Sequence, residues 1–411
     1  MKTVGLIVEY NPLHYGHVYH FEQSKRTSDA EAVVAVMSGH FLQRGEPAIV
    51  SKWARTEMAL RMGVDLVIEL PVAFSCQPAE WFAYGAVSAL EQTGIVDSLC
   101  FGSEHGDLSD LLMLADLLYQ EPPLFKQALA EELGHGSPYP KAYANAASRL
   151  IVESGAAPSA ALLQEPNNSL GLHYLLALKK WNSKIQPLTI RREKSRYMQQ
   201  DITDSKIASA TAIRKLLLDE ENWERCADYL PPSTLEILQR EAKLGRGLMC
   251  WNHFYPSLLH LLHSMSPQSL SDFAEVTEGL EHRMKQSLTR RSFDSFHGWI
   301  QSLKTKRYTL TKLQRTMTRI LLQHRKSELA REVLSRGVPY LRVLGFSSKG
   351  RELLRRMKHT AKVPVILQAG KEHASMLHMD IQAAAVYAHA FPKQADASAV
   401  YRDYYKPPIQ I

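Results

Sequence analysis

Seven residues, Asn11-Pro12-Leu13-His14-Tyr15-Gly16-His17, stand between a compact apolar run, Val4 to Val8, and a helical pattern that opens near His17. A strand that passes directly into a helix through such a loop is a βα unit, and repeated βα units build parallel sheets. The pattern does repeat. Ala32–Met37, Asp65–Leu70 and Ser98–Phe101 are further short apolar runs of the kind found in strands buried on both faces. Helical spacing fills Ser51–Met62 and Ala79–Glu91, and a fifth strand candidate, Pro187–Arg191, follows the helical stretch Gly171–Trp181. Another helix opens near Thr211. The expected fold is α/β, a doubly wound parallel sheet with its ligands outside the carboxyl ends of the strands.

Beyond Asp219 the alternation stops. Pro231-Pro232 punctuates the chain, and long helical patterns follow, interrupted by Tyr340–Phe346 and Val363–Leu367, which are expected to form a small strand pair. For 411 residues two domains are expected, with residues 1–220 built on the sheet and residues 221–411 mainly helical and basic. The formal charge of +7 is unevenly spread, because between Arg283 and Lys326 twelve Lys or Arg residues face one acid, Asp294. Charge concentrated in this way is the footprint of a polyanion partner. Cys76, Cys100, Cys226 and Cys250 show no CxxC spacing, which favours reduced thiols over a disulfide frame or a zinc site. No apolar run reaches the roughly 18 residues of a membrane span, and Val4–Val8 is too short for the core of an export signal. A cytoplasmic protein with no membrane contact and no stable protein partner is expected; metal ligands cannot be named from spacing.

The loop after the first strand carries the chemistry. Gly16 lets backbone approach an anion closely, and the helix that follows offers unpaired N–H groups and a partial positive charge. His14 and His17 bracket its first turn and can aim imidazole N–H groups at the same phosphate oxygens. Donors fixed there stabilise charge that builds on a phosphorus centre during displacement more than they stabilise the ground state. A zinc reading is weaker, since no third ligand is spaced to join the two histidines.

This spacing resembles the HxGH signature of the nucleotidyltransferase superfamily, which joins adenylyltransferases with the class I aminoacyl-tRNA synthetases. Ile207-Ala208-Ser209-Ala210-Thr211-Ala212-Ile213-Arg214 resembles a second superfamily motif, ISSTxxR, which binds the β and γ phosphates. Ser209 and Thr211 match it, Arg214 closes it and Ala210 replaces a serine; a plain helix N-cap is the alternative for Ser209 and Thr211. Longer segments are similar to the bacterial tRNA(Met) cytidine acetate ligase family. They are Glu9-Tyr10-Asn11-Pro12, Ser38-Gly39, Gln43-Arg44-Gly45-Glu46-Pro47-Ala48, Lys52-Trp53-Ala54-Arg55, Phe101-Gly102-Ser103-Glu104, Glu165-Pro166-Asn167-Asn168 and the stretch from Tyr308 to Arg319.

The resemblance spans nearly the whole chain. It implies a Rossmann-like HxGH nucleotidyltransferase domain followed by a mainly α-helical C-terminal domain. It also implies an enzyme that uses ATP to activate acetate as acetyl-adenylate, releasing pyrophosphate, and passes the acetyl group to N4 of the wobble cytidine of elongator tRNA(Met). His14 and His17 are then catalytic. ATP contacts are implied at Ile7, Val8, Glu9, Tyr10, Asn11, Pro12, Leu13, His14, Tyr15, Gly16, His17, Val18, Tyr19 and His20. Further contacts are implied at Gly102, at Asn167 or Asn168, and at Arg191 or Arg192, with Ser209, Thr211 and Arg214 on the phosphates. Magnesium is expected to accompany ATP, because the β and γ charges need neutralising.

Other residues complete the reading. Lys52 and Arg55 are three apart and share a helix face that meets phosphate, RNA or solvent. Lys306, Arg307, Lys312, Arg315 and Arg319 are expected to hold tRNA phosphates, while base contacts select the cytidine. Tyr15, Trp53 and Tyr308 are candidate platforms for a splayed base, and Arg44 with Ser38-Gly39 is a candidate acetate pocket. Two other functions share the motif. A small-molecule adenylyltransferase of the NMN or phosphopantetheine type would not need the basic helices, and a non-catalytic RNA-binding protein would not need His14, Gly16 and His17 intact.

Overall fold

Five parallel strands form where the apolar runs stand: β1 (Thr3–Val8), β2 (Ala32–Ser38), β3 (Leu66–Leu70), β4 (Ser98–Ser103) and β5 (Gln186–Arg191). The structure is a computed structural model and describes residues 1–155, 162–163, 165–192, 208–290 and 293–411; Ile207 and Arg291 lie outside the described residues. The strands lie in the order β5-β4-β1-β2-β3. Chain order therefore reverses between β1 and β4, and the crevice at that switch point is where doubly wound sheets bind ligands.

Alternation along β2 explains why these runs are strands. Ala32, Val34 and Val36 face a core shared with the helices Ala79–Thr93 and Pro166–Lys180. Val33, Ala35 and Met37 face a second core shared with α1 (Tyr15–Ser28), α2 (Lys52–Met62) and the helix Ala210–Leu218. Both faces are covered, so β-branched and small apolar residues fill every position.

The expected strand pair in the C-terminal half forms and does more than pair. β6 (Leu341–Phe346) runs antiparallel against β3, while β7 (Val365–Ile366) and β8 (Ile409–Gln410) pair with β6 in parallel. The division near residue 220 is consequently not a division of the sheet. The helical stretch before β6 has its own core around fully buried Trp299, with Phe254, Leu258 and Met317, and that core also takes in Phe41 and Val72 from the N-terminal half.

A buried charge network joins the chain's two ends. Lys52, fully buried, bonds Glu69 at 2.7 Å and Asp403 at 3.1 Å, and Asp403 also receives Arg342 at 3.2 Å. Lys52 is thus not a tRNA contact, which corrects the sequence expectation: the helix face it shares with Arg55 turns inward, where acids pair the ammonium. Burial, with the Asp380 and Asp403 carboxylates, holds Glu69 up to about 7 against the pull of Lys52. Gly39 is required beside it, since a Cβ there would stand 2.6 Å from Glu69 Oε1.

Removing one partner of such a network leaves uncompensated buried charge. Lys52→Met is expected to cost about 3–5 kcal/mol in urea unfolding at pH 7. A loss below about 1 kcal/mol would mean that the network is solvated.

Candidate active site

α1 begins where the loop's own side chains allow it. His14 caps the helix: its Nδ1 accepts from the Gly16 N–H at 3.0 Å, and the His14 N–H donates to His17 Nδ1 at 3.2 Å. The two rings lie 3.9 Å apart between centroids, tilted by 37° to each other. With Nδ1 accepting in both rings, each neutral imidazole carries its proton on Nε2. Burial, then the charges of Arg192 and Arg214, push His14 down to about 3. His17 is also held well below the ordinary histidine value, mainly by burial. Both rings are therefore neutral N–H donors at any working pH.

The groups that converge on this turn come from four segments. Arg214, on the helix Ala210–Leu218, donates to the Asn11 carbonyl at 2.9 Å and to Glu46 at 3.2 Å, with Thr211 Oγ1 at 3.4 Å. Gly102, near the carboxyl end of β4, is closely covered: a Cβ would stand 3.0 Å from Arg192 Cγ and 4.0 Å from His20 Cδ2. Arg192 follows β5 and donates to Asn167 Oδ1 at 2.9 Å. Three polar atoms among the loop residues are buried without partners: the Tyr10 hydroxyl, Asn11 Nδ2 and His20 Nε2. Idle buried donors are rare, and here they border a bare glycine, a helix N-terminus and two guanidiniums.

The remaining loop residues place these groups. Ile7, Val8, Pro12 and Leu13 are wholly or largely buried and contribute backbone, while Val18 and Tyr19 pack against the α1 face of the sheet. Tyr10 turns the chain with φ 48°, and Asn11 Oδ1 accepts the Ile49 N–H at 2.7 Å. Glu9 is pushed up by burial and accepts the Gln43 N–H at 2.8 Å.

Two open pairs separate by environment. Asn168 is buried and accepts the Glu104 N–H at 2.9 Å, a structural task, whereas Asn167 lies beside Arg192. Glu104, to which sequence reasoning gave no role, accepts the Asn167 and Asn168 N–H groups at 3.1 and 2.8 Å and fixes that turn. Of the arginines, Arg192 stands against Gly102 and Arg191 against Gly106. Ser209 caps the helix Ala210–Leu218 by accepting from Ala212 at 3.1 Å.

Several expected RNA contacts are corrected by burial. Arg55 is fully buried and donates to the carbonyls of Glu9 at 2.7 Å, Ser38 at 3.0 Å and Gly39, gathering the ends of β1 and β2. Arg319 is fully buried and donates to the Cys76 carbonyl; Arg315 pairs with Glu275 at 2.8 Å. Helical spacing could not reveal this, because carbonyls and acids brought from other elements neutralise the basic face. Lys306 and Arg307 stay exposed, and Lys312 is half-buried over the Tyr308 ring. Of the candidate base platforms Tyr15 is exposed, whereas Trp53 and Tyr308 are buried.

A sheet of this order with a paired-histidine turn at its switch point is the architecture of a nucleotidyl transferase. The family model described as HIGH Nucleotidyl Transferase matches residues 1–402. A protein of Acetivibrio thermocellus named tRNA(Met) cytidine acetate ligase is 44% identical over 373 residues, covering 90% of this chain and 88% of its own length. One of the same name from Halalkalibacterium halodurans is 40% identical over 100% of this chain and 98% of its own. The crystal structure of Thermotoga maritima TmcAL bound with alpha-thio ATP superposes with a TM-score of 0.91 at 34% identity, covering 100% of both chains. The chain belongs to the tRNA(Met) cytidine acetate ligase family.

The depressed histidine has a measurable consequence. The folded chain leaves His14 unprotonated until about 3, whereas the unfolded chain protonates it from about 6.5. Stability from this group is thus complete above pH 6.5 and is lost as pH falls toward 3, about 2 kcal/mol of it by pH 5. In His14→Asn, which keeps a capping side chain, the loss of urea stability between pH 7.5 and 5 should shrink by that amount. An unchanged loss would mean that His14 titrates normally.

Proposed function

We propose that this protein is an ATP-dependent ligase that activates acetate as acetyl-adenylate and transfers the acetyl group to N4 of the wobble cytidine of elongator tRNA(Met), releasing AMP and pyrophosphate. The observation that carries the reading is the neutral His14–His17 pair at the N-terminus of α1, flanked by Arg192 and Arg214 at the switch point. The relatives' names supply acetate, cytidine and tRNA(Met), and the ATP analogue in the Thermotoga maritima structure supplies the nucleotide.

In the first step an acetate oxygen attacks the α-phosphorus of ATP, the bond to the pyrophosphate oxygen breaks, and pyrophosphate leaves. The Nε2–H groups of His14 and His17 stabilise charge on the α-phosphate oxygens as it builds, and they need no proton transfer to do so. Arg192 with Asn167, and Arg214 with Thr211, hold the remaining phosphates, while the bare backbone at Gly102 receives the sugar or base. In the second step the cytosine N4 amine attacks the acetyl carbonyl, AMP leaves with the bonding pair, and the amine loses a proton. That amine is a poor nucleophile because its lone pair is delocalised into the ring, so the mixed anhydride and enforced proximity must carry the reaction.

Among the described residues no three His, Cys, Asp or Glu side chains gather as a metal cage. We therefore assign magnesium to the nucleotide, as part of the substrate. Among the described residues no helix is long and apolar enough to cross a membrane. The reading keeps Lys306, Arg307 and Lys312 as tRNA phosphate contacts, and Arg44 with Ser38-Gly39 as the acetate pocket.

The test mixes purified protein, ATP, labelled acetate and total bacterial tRNA without acetyl-CoA. Label should enter tRNA as N4-acetylcytidine, and His14→Ala should lower the rate by about 100-fold or more. Label in no nucleoside would remove the acetyl-transfer reading.

A further inference from the structure

A cavity of about 360 Å³ opens beside α2, walled by Trp53 and Glu57 on that helix, by Arg240 and Arg246, and by Arg402 and Asp403 near the C-terminus. Ligand pockets run from roughly 300 Å³ upward, so the space suits a nucleotide-sized group better than a lone ion. His14, His17, Arg192 and Arg214 do not line it. It is a place apart from those residues, and one of its wall residues lies just beyond the carboxyl end of β2. His40, another wall residue, stands two positions beyond β2, and β2 pairs with β1 as far as Met37 against Val8.

The wall holds polar groups that the protein itself leaves idle. Arg240 is satisfied, with both ends of its guanidinium on Glu57 at 3.1 and 2.8 Å. Arg246 reaches Glu241 through Nη2 at 3.0 Å, but its Nε–H is buried without an acceptor. The Arg402 Nε–H is likewise buried and unpartnered; its guanidinium makes no ion pair or hydrogen bond among the described residues and rests 4.6 Å over the Trp53 ring. Burial, then the neighbouring Arg246 charge, draw Arg402 below its ordinary value against the opposing pull of Asp403, Glu241 and Glu57. Lys406 stands exposed among the lining residues. One acceptor is idle too: Oδ2 of Asp403, a residue only 3% exposed.

Neighbouring guanidiniums with N–H groups to spare fit an oxyanion that accepts several hydrogen bonds at once. The spare carboxylate oxygen fits a hydroxyl or an amine. A phosphate joined to a sugar and a base carries both in one unit, at a size this cavity accommodates. We propose that the cavity receives one nucleotide of the RNA substrate, its phosphate on Arg246, Arg402 and Lys406 and a hydroxyl or amine donating to Asp403 Oδ2. The assignment rests on the RNA-substrate reading above. A free mononucleotide offers the same chemistry and is the competing source.

The test compares the full chain with Arg402→Gln, Lys406→Gln and the double variant. Lys406 is exposed, so its variant guards against a folding artefact. Three quantities are read: tRNA(Met) affinity by fluorescence anisotropy across a salt series, acetate-dependent ATP–pyrophosphate exchange without tRNA, and CMP binding by calorimetry. The double variant should bind tRNA about 10-fold more weakly, with the slope of log affinity against log salt reduced by about 1, while exchange stays within about twofold of wild type. Unchanged tRNA affinity and slope would overturn the proposal. CMP binding that disappears in the variants while tRNA affinity holds would also overturn it, by giving the cavity to a free nucleotide. Wild-type protein that binds tRNA yet shows no acetate-dependent exchange would sink the acetate reading alone, because the cavity is judged on RNA affinity.

Discussion

The buried guanidinium of Arg55 holds the carboxyl edge of the sheet together. Strands β1 and β2 end with carbonyls that have no neighbours in the ladder, and such groups cannot be left dry inside a protein. Arg55 brings donors to Glu9, Ser38, Gly39 and Val50, and so converts two strand ends and a loop into one rigid corner. Burial draws the guanidinium down only to about 10, so it remains a cation at neutral pH. The paired-histidine turn is built outward from this corner. Once the Glu9 carbonyl is held, Tyr10 turns the chain, Asn11 bonds Ile49, and His14 arrives at the position where it caps α1.

The helical half of the chain secures the same corner from the other side. Tyr387 donates to the Ala48 carbonyl at 2.6 Å, while Trp251 and Thr318 donate to the Gly45 carbonyl at 3.1 and 2.9 Å. A Cβ at Gly45 would stand 2.3 Å from the Arg315 backbone nitrogen. The loop between β2 and α2 is therefore fixed by residues more than two hundred positions away, and it carries Glu46 to Arg214. The fold thus lines this corner with neutral imidazole donors and cations before any ligand arrives, an arrangement that suits the proposed chemistry because little reorganisation would be needed as charge develops on phosphorus. Keeping the imidazoles neutral matters as much as placing them, because His14 lies under the field of two arginines.

Much of this was legible in the chain. Five strands and the helix after His14 follow from apolar runs and a loop motif, since both are local patterns. The return of Leu341–Phe346 to the sheet edge was not legible, because a six-residue apolar run does not say which strand it will join. The basic residues misled for a related reason. Lys52, Arg55 and Arg319 occupy positions that look solvated in helical projection, yet carboxylates and carbonyls from distant segments make their burial affordable. Asn167 could not be sorted from Asn168, nor Arg192 from Arg191, until their surroundings at Glu104, Gly102 and Gly106 were seen. Neighbours in sequence point to different surroundings, so Arg192 meets Gly102 while Arg191 meets Gly106.

Acetate that attacks the α-phosphorus held at the paired histidines must leave one of its oxygens on AMP. Running the reaction with acetate labelled with ¹⁸O in both oxygens and weighing the AMP released decides whether it does. Attack by acetate oxygen on phosphorus, followed by amine attack on the carbonyl carbon, leaves one ¹⁸O in the phosphate of AMP and the other in the acetyl group on cytidine. AMP without ¹⁸O, formed in step with acetylated tRNA, would show that acetate was not activated as an adenylate and would contradict the account.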